Sequence, residues 1–317
     1  MKVACIVSIL MLMHTVCHSQ NFPDRMISYD PLADHRPDTA DFTWLSGARL
    51  HAEFSRYSNG SGSSHRWNAK TGGMVEIARW DSTWSIAVAG TTEIIIDPHN
   101  DISFNPRAIQ WEEGILVSCR LSHDASLQFG GMQRCKHDID NLEPAQESGS
   151  VEERTLIFSS ATVRALFHPR PLIPGSNLLY GALAIRDEIY VHILDNRIAG
   201  TADAGGRSLE TMFNTTVVTG RLDLRPPDAR YGVHLGASFM VSLFGDAPGT
   251  GHNLSNPIAL GSIPFLELGL DLFNPAGGNL TIFARGEWQR DAAILPKPAA
   301  ASLAMFGIRF SDFGTMW

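Results

Sequence analysis

The sequence predicts an all-β fold, a transmembrane antiparallel up-and-down β-barrel of about twelve strands. Three observations point there. Long β-like runs follow one another with almost no helical periodicity between them. Their connections alternate between long polar loops and tight turns, except at the sixth, His168 to Asn177. The last run alternates apolar and polar residues in part and ends on an aromatic residue, Trp317, which suits a closing strand anchored at a membrane interface.

The N-terminus reads as an export signal over residues 1–19. Lys2 is its positive end, and Val3 to Val16 is an apolar stretch too short to span a bilayer as a helix. Residues 20–41 carry Pro23, Pro31, Pro37 and many charges, and read as a periplasmic extension without a core of its own. The barrel is expected over 42–317, with both termini periplasmic and the bacterial outer membrane as location.

The chain has 317 residues, 44% of them hydrophobic, and a mean hydropathy of -0.04. Strands with one lipid face and one polar face average to such a value. The net charge of -8 argues against nucleic acid as a partner, because phosphate backbones demand cationic surfaces.

The runs expected as strands are approximately 42–57, 66–79, 83–97, 107–121, 125–137, 153–168, 178–195, 208–224, 229–245, 258–273, 278–289 and 301–314. Many are long enough to cross a bilayer when tilted. Side chains alternate between faces along a strand. In the first run Leu50, Ala52 and Phe54 therefore oppose Arg49, His51, Glu53 and Ser55. In the eleventh, Leu280, Ile282 and Ala284 oppose Thr281, Phe283, Arg285 and Glu287. The apolar sets are expected to meet lipid. Arg49, His51, Glu53, Arg285 and Glu287 are expected to line the lumen, as are Arg186, Glu188, Tyr190 and His192 of the seventh run. A secreted two-sheet β-sandwich that binds a ligand is the alternative reading of the same pattern.

Once the signal is removed, Cys119 and Cys135 remain. In an oxidising compartment they are a disulfide candidate, and two free thiols on neighbouring strands are the alternative. Arg134-Cys135-Lys136-His137-Asp138-Ile139-Asp140 sits at a strand end, where Asp138 and Asp140 could offer hard oxygen ligands to a divalent cation. Solvated charges at a strand end are the simpler account.

The first hairpin reads Ser55-Arg56-Tyr57-Ser58-Asn59-Gly60, then Ser64-His65-Arg66-Trp67-Asn68. This stretch resembles the outer-membrane phospholipases A, twelve-stranded barrels with a His-x-Ser-Asn-Gly segment followed by Ser-Arg-Ser-Trp-Asn. The resemblance covers about fourteen residues. It implies Ser58 as nucleophile and Asn68 as orienter, with calcium at a dimer interface and hence a homodimer. The family's catalytic His position is occupied by Arg56. A guanidinium stays protonated and cannot act as a base, so His65 or His51 would have to substitute. The first functional expectation is a barrel with a structural role or a porin-like narrow channel, partnered by outer-membrane lipid and the barrel-assembly machinery. A lipid-directed serine hydrolase is the second.

Overall fold

The computed structural model describes residues 42–58, 66–81, 83–97, 105–138, 155–196, 212–227, 229–245, 258–262, 265–274, 278–289 and 301–311. The segments expected as an export signal (1–19) and an extension (20–41), and Trp317, lie outside these. The described strands are β1 (Phe42–Tyr57), β2 (Trp67–Trp80), β3 (Trp84–Asp97), β4 (Asn105–Ser122), β5 (Ala125–Asp138), β6 (Thr155–Pro171) and β7 (Leu179–Asn196). They continue as β8 (Met212–Leu224), β9 (Tyr231–Phe244), β10 (Ile258–Ser262), β11 (Phe265–Phe273), β12 (Asn279–Gln289) and β13 (Ala301–Ser311).

Every neighbouring pair is antiparallel. The order runs from β1 through β9 to β11, β12 and β13, and β13 pairs back onto β1 from His51↔Ser311 to Tyr57↔Met305. The sheet is thus closed on itself. Closure excludes the two-sheet sandwich, whose sheets keep free edges.

β10 and β11 share one place in the wall. Ser262 pairs with Met240 of β9, and four residues later Leu266 pairs with Ala237, three residues away. The run 258–273, expected as one strand, is therefore interrupted, and from Ile258↔Leu243 to Leu266↔Ala237 it gains two residues over its partner. Residues 263–264, between β10 and β11, lie outside the described residues. Twelve places in the wall result, though thirteen strand segments occupy them.

The short connections all lie at one rim. They include the 81–83 turn and His123-Asp124, and continue with 172–178, 225–230 and 274–278. At the first, Asp81 takes φ +43 and accepts a hydrogen bond from the Thr83 amide at 2.7 Å. At the second, the hydrogen bond from His123 holds the Asp124 carboxyl below the usual carboxylate range. At the last, Gly278 has φ +85, a conformation that a side chain would strain.

Burial follows the pleat and inverts the pattern of a soluble protein. In β1, Arg49, His51, Glu53, Ser55 and Tyr57 are buried while Leu50, Ala52 and Phe54 are exposed. On β11, Leu266, Leu268, Leu270 and Leu272 face outward, and on β13 Phe306, Ile308 and Phe310 do. Phe306 is 61% exposed and Leu268 56%. Near the short-turn rim, Phe42 packs on Trp44 and Trp80 with ring centroids 5.0 and 5.1 Å apart. Such an aromatic cluster suits the edge of a hydrocarbon layer. No helix among the described residues is long and apolar enough to cross a membrane, but a wall of strands needs none.

Two expectations are corrected by register. Cys119 pairs with Leu127 and Cys135 with Trp111, so the thiols lie eight residues apart along the β4–β5 ladder, about 27 Å at 3.4 Å per residue. Both are free, since a disulfide needs its Cα atoms within about 7 Å. His192 is turned outward and not into the lumen. Ser159 pairs with His192 but Ser160 pairs with Tyr190, so Val191 is a one-residue bulge and the faces of β7 exchange beyond it. Accordingly Val191 and His192 are exposed, while Ile193 packs against an interior cluster of Phe158, Met212 and Phe244.

The thiols yield a first prediction. The folded protein produced without residues 1–19 should migrate identically with and without reductant, and should show two thiols when unfolded under non-reducing conditions. A titre of zero would refute the β4–β5 register.

Candidate functional site in the barrel interior

The interior is built by the inward half of each strand, and two arcs hold most of its charge. On the first arc, Arg134 of β5 reaches Glu112 of β4 at 2.7 Å through Nε and Glu188 of β7 at 2.6 Å through Nη1. Arg164 of β6 lies 3.9 Å from Glu112, and Arg186 lies 3.5 Å from Glu188 on its own strand. The Tyr190 hydroxyl donates to Glu188 at 3.2 Å.

The second arc spans β8 to β1. Arg285 donates to both oxygens of Glu53 at 2.8 Å and to Glu267 at 2.7 Å. Arg309 donates to Glu267 at 2.6 Å and to Glu53 at 3.1 Å. Glu287 accepts from Arg285 at 3.3 Å. Arg221 bridges Asp223 at 2.7 Å and Asp271 at 2.8 Å. His234 sits between Asp271, 2.7 Å from Nδ1, and Glu267, 2.9 Å from Nε2. Carboxylates only accept, so this is the geometry of an imidazolium held between two anions. Gly269 faces that ring, and a Cβ there would overlap it.

Asp223, His234 and Asp271 could in principle hold a metal ion, as their ligand atoms lie within 4.8 Å of one another. Arg221 already donates to both carboxylates, and Glu267 takes the other ring nitrogen. The donor set is therefore engaged by protein, and its chemistry is that of an ion-pair network.

These side chains are enclosed. Glu188 is 0% exposed, Arg164 and His234 1% each, and Arg49, His51, Glu53 and Glu287 are buried too. Apolar clusters fill further interior space: Met74, Ala87, Ala89, Leu116 and Met132 form one, and Tyr57, Phe283, Leu303 and Met305 another. A cavity of about 730 Å³ lies at the β1–β13 seam, but Leu50, Ala52, Leu272, Leu280 and Phe310 make much of its lining. Those residues belong to the outward face, and His51 and Ser311 are the inward pair that borders it.

The residues singled out in the first hairpin do not converge. Ser58 is exposed past the end of β1, and its hydroxyl donates to the Ala304 carbonyl at 3.2 Å. Asn68 is buried inside, donating to Glu93 and, at 3.3 Å, to the Tyr57 hydroxyl. Asn68 pairs with Ser55, which puts Ser58 three residues beyond it, about 10 Å along the strand. His51 is seven residues from Ser58, about 23 Å, and its ring is inside. His65, Asp140 and the Asp138 side chain lie outside the described residues. Arg56 stacks over Trp67 at 5.2 Å on the outer wall. Among the described residues, then, Ser58 has no imidazole within hydrogen-bond reach.

No family model and no curated protein matches the chain. Solved structures with related shape include the NanC porin, at 12% identity over 84% of this chain and 100% of that one, TM-score 0.44. Outer membrane phospholipase A from Escherichia coli matches at 7% identity over 84% of this chain and 92% of that one, TM-score 0.44. The Salmonella typhi outer membrane phospholipase dimer with bound calcium matches at 8% identity over 89% and 95%, TM-score 0.43. Likenesses this distant assign no activity. The inward charges and outward apolar wall decide the class. The chain is a membrane-type β-barrel.

The outward apolar positions and most inward charges are readable from period two. The partner choices that join strands two places apart are not, as with Arg285 to Glu53 and Arg221 to Asp271.

Removing Arg134 leaves Glu112 and Glu188 buried without their strongest partner. Arg134→Ala should destabilise the folded barrel by about 3–5 kcal/mol, read as a lower midpoint of denaturant unfolding in micelles. Gly269→Ala should cost about 1–3 kcal/mol by the same measurement, since His234 must give way. An unchanged midpoint in either variant would contradict the packing described.

Proposed function

We propose that this chain is a bacterial outer-membrane β-barrel with a structural role, its lumen closed by its own side chains. The carrying observation is that the two arcs pair buried charges with one another, down to 0% exposure at Glu188. Residues lining a water-filled pore stay solvated. The short-turn rim, where β1 begins and β13 ends, is periplasmic by the usual arrangement of such barrels, and the long connections face outward from the cell. Its surroundings are outer-membrane lipid, and assembly falls to the machinery that inserts such barrels.

Single-channel recording tests the closed lumen. The refolded protein in a planar bilayer should give no steady ohmic conductance, while Arg134→Ala, if it folds, should raise the frequency of openings. A stable open level in the unaltered protein would replace the structural reading with a channel. Phospholipid hydrolysis with calcium present should be absent and should not differ between wild type and Ser58→Ala. A clear loss in the variant would restore the hydrolase reading.

A further inference from the structure

The outer wall is not uniform. From Val233 to Leu243 on β9, and over the described outward positions of β11, β12 and β13, the side chains are apolar or glycine. The β4–β8 face differs. Register sets Glu113 opposite Gln133, Gln133 opposite Ser159, and Ser159 opposite His192, which makes one polar row across β4, β5, β6 and β7. Residues directly opposite in an antiparallel pair share a face, and Glu113, Gln133 and His192 are exposed on the outer one. The row lies between apolar rows, with Ile115 on one side and Leu194 on the other. The Val191 bulge is what turns His192 out to complete it.

A second polar group lies nearer the short-turn rim on the same face. Asp187 points outward between Ile185 and Ile189 on β7, opposite Val163 of β6. The Asn214 amide donates to Asp187 Oδ1 at 3.0 Å and the Thr216 hydroxyl at 2.7 Å. Both donors serve Oδ1, and no hydrogen bond to Oδ2 is found among the described residues. A carboxylate oxygen facing acyl chains is costly unless something else meets it.

We propose that the outward β4–β8 face, centred on Gln133, Ser159, His192 and Asp187, is the contact surface for a second copy of this chain in the membrane. A two-fold contact apposes one patch to itself and so needs donors and acceptors together on that patch. This face has both: Glu113 and Asp187 accept, and Gln133, Ser159 and His192 donate. The purely apolar faces of β9 and β11–β13 offer no such complementarity and suit lipid. The inference rests on the membrane placement proposed above and owes nothing to the first hairpin.

Site-directed cross-linking in reconstituted vesicles tests it. In a Cys119→Ser, Cys135→Ser background, Val191→Cys lies on the proposed face and Leu268→Cys on β11 away from it. Val191→Cys should form a covalent dimer on oxidation and Leu268→Cys should not. Asp187→Leu should weaken dimerisation about tenfold by sedimentation in micelles, which corresponds to one membrane hydrogen bond of ~1.4 kcal/mol. Equal cross-linking at both positions, or a monomer at every concentration, would overturn the proposal. Heat-modifiable gel migration is read in parallel. A folded monomer sinks the interface alone, whereas a protein that never inserts sinks the barrel reading itself. Should Asp187→Leu not fold, the cross-linking pair decides without it.

Discussion

The rest of the structure depends on the closing ladder between β1 and β13. Hydrocarbon offers no partner to a backbone amide or carbonyl, so a sheet in a membrane is viable only without free edges. The pairs from His51↔Ser311 to Tyr57↔Met305 remove the edges of both terminal strands together. Closure also fixes which half of every strand is inside. A slip of β13 by one residue at this seam would carry Arg309 toward lipid and bring Ile308 in, leaving Glu53 inside without it.

Once the wall is closed, the interior has to be satisfied from within. Burying a charge is tolerable only when it is paired and hydrogen-bonded, and Arg134, Arg285 and Arg309 show this. Arg285 holds Glu53 and Glu267 together, and Arg309 holds the same two carboxylates from the next strand. Such shared pairs join strands that the backbone ladder leaves separated by a neighbour. They brace the wall laterally, while the apolar clusters around Met74 and Phe283 fill the space between. A network bound this closely specifies a fixed interior more readily than a passage.

Much of the fold was legible in the sequence because a two-residue period is local. The lumen face of β1 and the outer face of β12 follow from alternation alone, and the turn chemistry at Asp81 and His123-Asp124 marks one rim. What was not legible depends on single-residue changes in phase. Val191 inserts one residue into β7 and turns His192 to the outside, and no local pattern announces it. The end of β10 at Ser262 and the start of β11 at Phe265 were hidden by the apolar run 258–273, which favoured one strand. Cys119 and Cys135 lie on neighbouring strands as the sequence suggests, but only the register shows them eight residues out of step.

The first hairpin shows how a motif can be present without its chemistry. Its resemblance rests on residue order along the chain, whereas nucleophilic catalysis rests on faces and distances. Ser58 stands one residue past an inward Tyr57, and its hydroxyl is taken by the neighbouring Ala304 carbonyl. Asn68 occupies the position an orienter would have in the motif. Inside this wall its amide serves Glu93 and Tyr57, so it belongs to the buried polar interior. Arg56, in the place of the base, is drawn to the outer face and onto Trp67. The same alternation that lets the strand cross a membrane separates these groups, so a base for Ser58 would have to come from a loop and not from the wall.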